Sequence, residues 1–451
     1  VIHTAHGYWL AEAGPVDPAP SLAGDAGVDV VVIGGGYTGL WTAWQLRARG
    51  ASVAVLEADL CGHGPSGRNG GFCETLWTHL PSLAERFGRE RALALARASG
   101  ESVRAIGAWC AEQGVDAWFE PSGYLMASTA PAHDAVIDDI VAVAPRHQVR
   151  ALDGEALRAR CDSPRFRRGL EVPDDATVQP ARLALGLRDR LRDVVYERSR
   201  VVALRVGAGE VVAETAGGRV RAGAAVLAMN AATRGVRPLR HRLSVTSSHI
   251  VLTEPVPDVL EAIGWTGGEC ITDARTFVHY FRTTRDGRIA FGWGGGRLAP
   301  GARLGGRVEV DAEVANETRR HLVETFPLLE GRAITHAWGG PIDVSPSHLP
   351  QIGTLEDSPV HYAFGYTGNG VGPSHLAGRI LAALAVGEKS DLVFEHEPVR
   401  VPPEPLAWAG GMLVRRAFLR KERLEEEARA VDPLTRAVAA APRALGIHVA
   451  R

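Results

Sequence analysis

A glycine pattern, Gly34-x-Gly36-x-x-Gly39, lies between an apolar run at 28–33 and a stretch of helical spacing at 40–49. Gly50 ends that helix, and a second strand-like run at 52–56 delivers an acid, Glu57. Strand, glycine turn, helix, strand and terminal acid open a parallel α/β sheet, the context in which such a pattern binds a dinucleotide. Gly34 permits the tight turn, Gly36 lets backbone approach a pyrophosphate, and Gly39 lets the helix lie close on the strand. Bare amides at the helix N-terminus meet the phosphate charge. Glu57 is placed to accept from a ribose hydroxyl and disfavours a 2′-phosphate, so FAD and NAD fit better than NADP.

A second segment separates FAD from NAD. It reads Pro65-Ser66-Gly67-Arg68-Asn69-Gly70-Gly71-Phe72. An NAD domain would pass directly into another βα unit, whereas this glycine-rich excursion offers backbone to a large ligand such as a flavin ring. Trp338-Gly339-Gly340-Pro341-Ile342-Asp343 and Gly365-Tyr366-Thr367-Gly368-Asn369-Gly370-Val371 follow in order. On these four motifs the chain resembles the glycine/D-amino-acid-oxidase-like (DAO) FAD-dependent oxidoreductases, in particular the gamma-glutamylputrescine oxidase-like branch. The likeness runs over residues 28–392.

That resemblance implies an α/β chain (α+β overall): a Rossmann-like FAD domain of the glutathione-reductase type with a discontinuous β-sheet substrate domain. The expected division is 1–85, 155–240 and 335–398 for FAD, 86–154 and 241–334 for substrate, and 399–451 as a helical tail. FAD would lie on Gly34, Gly36, Thr38, Gly39, Glu57 and Ala58, with Val201 meeting the adenine through its backbone. The flavin end would use Ser66, Gly67, Arg68, Asn69, Gly70, Gly71 and Gly340. Gly368, Asn369, Gly370 and Val371 would meet the pyrimidine edge, where a helix N-terminus supplies partial positive charge.

Departures from the family pattern sharpen the expectation. Some relatives attach FAD through a His in the segment that here reads Arg68-Asn69, and others through a late Cys. Asn69 cannot form that bond and no Cys follows Cys270, so noncovalent FAD is expected. The Arg and Lys that clamp a substrate carboxylate in sarcosine oxidases fall here near Thr75 and Gly372, which disfavours α-amino acids. The only lysines, Lys389 and Lys421, are badly placed to activate dioxygen.

Amine oxidation at a flavin asks for a neutral amine and a dry pocket, and aromatic walls favour the neutral form by desolvating the ammonium. Trp77, Tyr280 and Tyr366 are the candidate catalytic residues, with Trp338 a further wall. His79, His249, His279 and His348 are weaker polar candidates, and Asp343 is read as a cation holder or a turn cap. The expected reaction is hydride transfer from a primary or secondary amine, imine hydrolysis, and reduction of O2 to H2O2. Alternatives are an oxidase of an anionic amine, such as an aminoalkylphosphonate or amino acid, a membrane-peripheral dehydrogenase feeding a quinone, and a flavin-binding protein without turnover.

Composition removes other classes. The 451 residues carry 50 basic and 52 acidic side chains, net charge −2, so bulk electrostatics recruits no nucleic acid. No apolar stretch reaches the roughly 18 residues of a membrane span. Five scattered cysteines suit reduced thiols and a cytoplasmic setting, and the start Val1-Ile2-His3-Thr4 lacks the features of a signal peptide. Arg415, Arg416, Arg420, Lys421 and Arg423 give the tail a basic amphipathic helix, read as packed on its own protein rather than on a membrane.

Overall fold

A computed structural model describes residues 1–451 apart from 208, 391, 393, 395–398 and 449–451; the division drawn at 398 falls among residues outside that description. Two sheets organise the chain. Six strands of the first run in the order Ala203–Val206, Val211–Glu214, Arg219–Leu227, Ala26–Ile33, Val53–Leu56 and Val195–Tyr196. Val360–Phe364 adds in parallel to Arg219–Leu227, and Gln351–Thr354 pairs with it. Ala26–Ile33 lies parallel to both its neighbours, and its last four residues are buried, which is why the sequence reads there as a continuous apolar run. Helix Tyr37–Ala48 begins three residues before the apolar spacing suggested, because Gly39 sits inside its first turn.

The second sheet has nine strands. From one edge they are Ile2–His3, Ile334–Val344, Ser244–Thr253, Ile289–Trp293, His279–Thr283, Cys270–Asp273, Tyr124–Ser128, Arg168–Val172 and Arg150–Leu152. Three of these strands, Ile2–His3, Arg168–Val172 and Ile334–Val344, lie in segments drawn with the FAD domain. Arg168–Val172 pairs antiparallel with Tyr124–Ser128, and Ile334–Val344 pairs along almost its whole length with Ser244–Thr253. Nothing local marks those choices, since a strand's partner is set by which exposed edge it meets.

Leu80–Phe87 and Arg89–Gln113 form a helical pair split at Gly88, which has φ 79°. The tail forms helices Leu406–Glu426 and Pro433–Ala440. It packs on the body: Phe277 meets Phe418, and Arg275 pairs with Glu422 and Glu426. Its basic residues are largely engaged internally, Arg420 with Asp432 and Lys421 with Glu425. Among the described residues no helix is long and apolar enough to cross a membrane.

Candidate functional site

One cavity of about 1080 Å³ runs from the glycine turn to the tail helix. At the first end the glycines do what their spacing required. Gly34 has φ +114°, and a Cβ on Gly39 would stand 1.9 Å from the Gly34 carbonyl. Gly35 N–H donates to Glu57 Oε2 at 2.6 Å, and Asp59 N–H donates to Oε1 at 2.9 Å. Two amides thus fix the acid at the end of its strand, while burial raises its carboxyl above the ordinary range. Ala58 and Val201 line the wall beside it. Behind them the buried Glu197 carboxylate accepts from Ala19 N–H and Cys61 N–H, and Ser199 Oγ accepts from Leu22 N–H.

The loop at 64–71 is held by its own side chains. Ser66 Oγ accepts from Tyr37 N–H at 2.9 Å, joining the loop to the helix N-terminus. Asn69 donates to the Pro65 and Ser66 carbonyls and accepts from Gly71 N–H at 2.7 Å. The residue that cannot bond a flavin is thus the brace of the loop. Arg68, buried, donates to the Ala5 carbonyl and pairs with Glu309, and Trp338 Nε1–H donates to the Arg68 carbonyl at 2.8 Å. Gly67 and Gly71 lie off the lining, where a Cβ would strike the Gly62 and Val178 carbonyls; Ser66, Arg68, Asn69 and Gly70 face the cavity.

The late loop closes the other side. Tyr366 Oη shares a 2.8 Å hydrogen bond with Thr38 Oγ1, tying this loop to the first helix. Asn369 Nδ2 lies 3.0 Å from His79 Nε2. Gly368, Asn369, Gly370 and Val371 all line the cavity, with Gly370 capping the fifteen-residue helix Val371–Ala385. A Cβ on Gly340 would meet no protein atom within 4 Å, so that backbone stands open to a ligand. Asp343 accepts from Gly365 N–H as a turn brace, and burial pushes its carboxyl up to about 7.

Of the aromatic candidates, Tyr280, Tyr366 and Trp338 line the cavity. Tyr280 Oη and Ser248 Oγ are 2.7 Å apart, Phe72 packs edge-on to the Tyr280 ring, and burial raises that phenol to about 12. Trp77 is a correction. It is buried in the core, away from the lining, because the turn at Trp77–His79 sends the indole inward. His279 is likewise internal, with Nδ1 2.6 Å from Asp273 and Nε2 2.9 Å from His321, and His249 lies beneath Gly339. His348 does reach the lining.

No lysine among the described residues lines the cavity, and its arginines are Arg68, Arg200, Arg234 and Arg415. Arg234 donates to the Leu243 carbonyl and pairs with Glu404, while Arg415 donates to the Gly295 and Gly296 carbonyls. Arg200 adjoins Val201 at the nucleotide end. Thr75 is packed against Asp175 off the lining, as is Gly372. Cys61 and Cys73 are also off it, buried thiols pushed well up by burial. Sequence reasoning missed Asn230, which lines the cavity at φ 48° beside Asp343, and missed the tail helix as a wall.

A glycine-built cleft over a parallel sheet, continued beneath a second sheet, defines a dinucleotide-binding oxidoreductase. Residues 29–384 match the family described as DAO, FAD dependent oxidoreductase, and the chain belongs to that family; its cofactor is FAD. It is 31% identical to the gamma-glutamylputrescine oxidoreductase of Escherichia coli (strain K12), over 86% of this chain and 90% of that protein. It is 28% identical to the probable oxidoreductase OrdL of Rhizobium meliloti (strain 1021), over 91% and 94% respectively. In fold it is similar to L-proline dehydrogenase from P. horikoshii, with TM-score 0.67 and 19% identity over 83% of this chain and 96% of the other. Glycine oxidase from Geobacillus kaustophilus gives 0.63 and 21% over 81% and 96%. The glycine cradles and the open backbone at Gly340 fit this cofactor.

Proposed function

We propose that the chain is an amine oxidase that binds FAD noncovalently and acts on a primary or secondary amine whose reacting carbon bears no carboxylate. The observation that carries this reading is the charge inventory of the cavity: among the described residues it has no lysine, and the arginines away from the nucleotide end are all bonded to protein carbonyls or carboxylates. A substrate carboxylate would find no free bidentate partner there. Held by the glycine turn, Glu57, the loop at 64–71 and the late loop, FAD would supply a two-electron acceptor for the hydride on the carbon beside nitrogen; dioxygen, reduced to hydrogen peroxide, would be the final acceptor, and the imine would hydrolyse to an aldehyde and an amine or ammonia.

The chain's residues prepare that step. Tyr280, Phe72 and Tyr366 exclude water and favour the uncharged amine. The Tyr280–Ser248 pair offers a hydroxyl to orient its nitrogen. With both phenols held protonated by burial, neither is a base at neutral pH. The acceptor has a second reading, a quinone, which the absence of a cavity lysine favours. Yellow protein mixed anaerobically with simple amines should bleach, and air should restore the colour with peroxide. Bleaching by none of them contradicts the amine reading. Bleaching that only a quinone reverses makes the chain a dehydrogenase.

A further inference from the structure

The cavity does not stop at Tyr280. Sheet register carries its wall onward: Tyr280 pairs with Gly292 and His279 with Trp293, then Gly294 N–H donates to the Val278 carbonyl. The next two carbonyls, Gly295 and Gly296, accept from Arg415 on the tail helix, Arg415 Nε to Gly296 at 2.6 Å. Gly295 and Gly296 stand three and four residues beyond Gly292, the partner of Tyr280, so Leu406–Glu426 meets the cavity wall just past the end of strand Ile289–Trp293. Across this interval the lining includes Phe277, Val278, Leu298, Gly410, Val414 and Trp408. Its charged groups are satisfied within the protein: Arg415 by those carbonyls, and Glu404 at the foot of the helix by Arg234. Trp408 is 38% exposed and Leu413, also on the lining, 57%. Among the described residues, this apolar surface on the lining is thus left partly uncovered.

Resting on the amine reading above, we propose that the tail helix is a specificity wall, and that the vestibule it forms with 276–278 and 294–298 receives an uncharged, apolar extension of the substrate. A chain or ring attached to the amine would bury against Phe277, Leu298 and Val414, while a zwitterionic extension would find no free counter-charge there. Gly410 supplies the handle for a test. It lines the cavity, yet a Cβ there would meet no protein atom within 4 Å. A larger side chain at 410 therefore has open space on the lining to occupy and strikes no protein atom at its Cβ.

The experiment uses FAD-loaded full-length protein and two homologous series. Straight-chain alcohols, ethanol to octanol, serve as ligands that need no turnover, their binding followed by perturbation of the flavin absorbance. Straight-chain primary amines are followed by anaerobic bleaching. Alcohol affinity should rise about fourfold per methylene, the equivalent of ~0.8 kcal/mol, through the middle of the series. Gly410→Leu and Val414→Asn should each flatten that slope, the first by filling the vestibule and the second by making it polar. A flat slope in the unaltered protein, or an undiminished slope in both variants, overturns the wall. If a variant loses its yellow colour, the slope of the other, with that of the unaltered protein, decides. A chain-length slope with no bleaching by any amine keeps the wall and removes the amine reading; bleaching with a flat slope does the reverse.

Discussion

The two ends of the cavity are built from different material. The nucleotide end is backbone: glycines, amides and one acid, drawn chiefly from a continuous stretch between Val30 and Gly71, with buttresses at Glu197 and Ser199. The substrate end is side chains from distant segments, with Phe72, Ser248, Tyr280 and the helix at 406–426 meeting only in the folded chain. Backbone recognition tolerates little change, since a Cβ at a close approach has nowhere to go. A wall of side chains can be exchanged one at a time, so chemistry is retained while the choice of substrate changes.

The largest effect should come from the close approach itself. Gly39→Val puts side-chain atoms against the Gly34 carbonyl, which is backbone and cannot swing away. We expect loss of more than about 3 kcal/mol, seen as at least a hundredfold loss of FAD affinity or as failure to fold. A yellow, stable variant would break the distinction between the ends.

A pH effect follows at Asp343, which braces the late loop. Its carboxyl is raised to about 7 in the folded chain, against about 3.9 for an unperturbed aspartate. Between those values the folded state keeps a proton that the unfolded chain has released. The apoprotein is therefore free of this penalty below about pH 4 and loses stability as pH rises to about 7, by an amount on the order of a few kcal/mol. Asp343→Asn should gain on the unaltered protein across that window and by a constant amount above it, read by urea unfolding at several pH values. A difference independent of pH would contradict the assignment.

Asn69→Ala removes three hydrogen bonds from the flavin loop. FAD affinity should fall by about 2 kcal/mol, roughly thirtyfold, measured by flavin release on dilution. A smaller change belongs to Tyr366→Phe, which loses the hydrogen bond to Thr38. The anaerobic reduction rate should fall by no more than about fivefold, ~1 kcal/mol, with FAD retained. Complete loss of reduction would give Tyr366 a chemical role beyond positioning.

This division also governs what could be read from the chain alone. The turn at Gly34–Gly39, the acid Glu57 and the order of the four motifs were legible because each depends on neighbours close in sequence. The brace formed by Asn69 was not, although the residue was recognised, because its three partners are local but its geometry is not. Trp77 shows the opposite failure: an aromatic residue soon after the flavin loop looks like a wall until the turn at Trp77–His79 directs it into the core. The pairing of Arg168–Val172 and Ile334–Val344 into the nine-stranded sheet was not legible for a related reason, since pairing is decided between segments far apart. The tail's arginines suggested a surface helix, and its role as a cavity wall became visible only once Arg415 met Gly295 and Gly296.

The central claim, that the reacting end lacks a carboxylate clamp, is tested by one ratio. Anaerobic flavin reduction is timed with a secondary N-methylamine and with sarcosine, which carries a carboxylate on a carbon beside nitrogen, at matched concentrations. The account predicts bleaching by the amine and at least roughly a hundredfold slower bleaching by sarcosine. Equal or faster reduction by sarcosine would contradict it and make the chain an amino-acid oxidase.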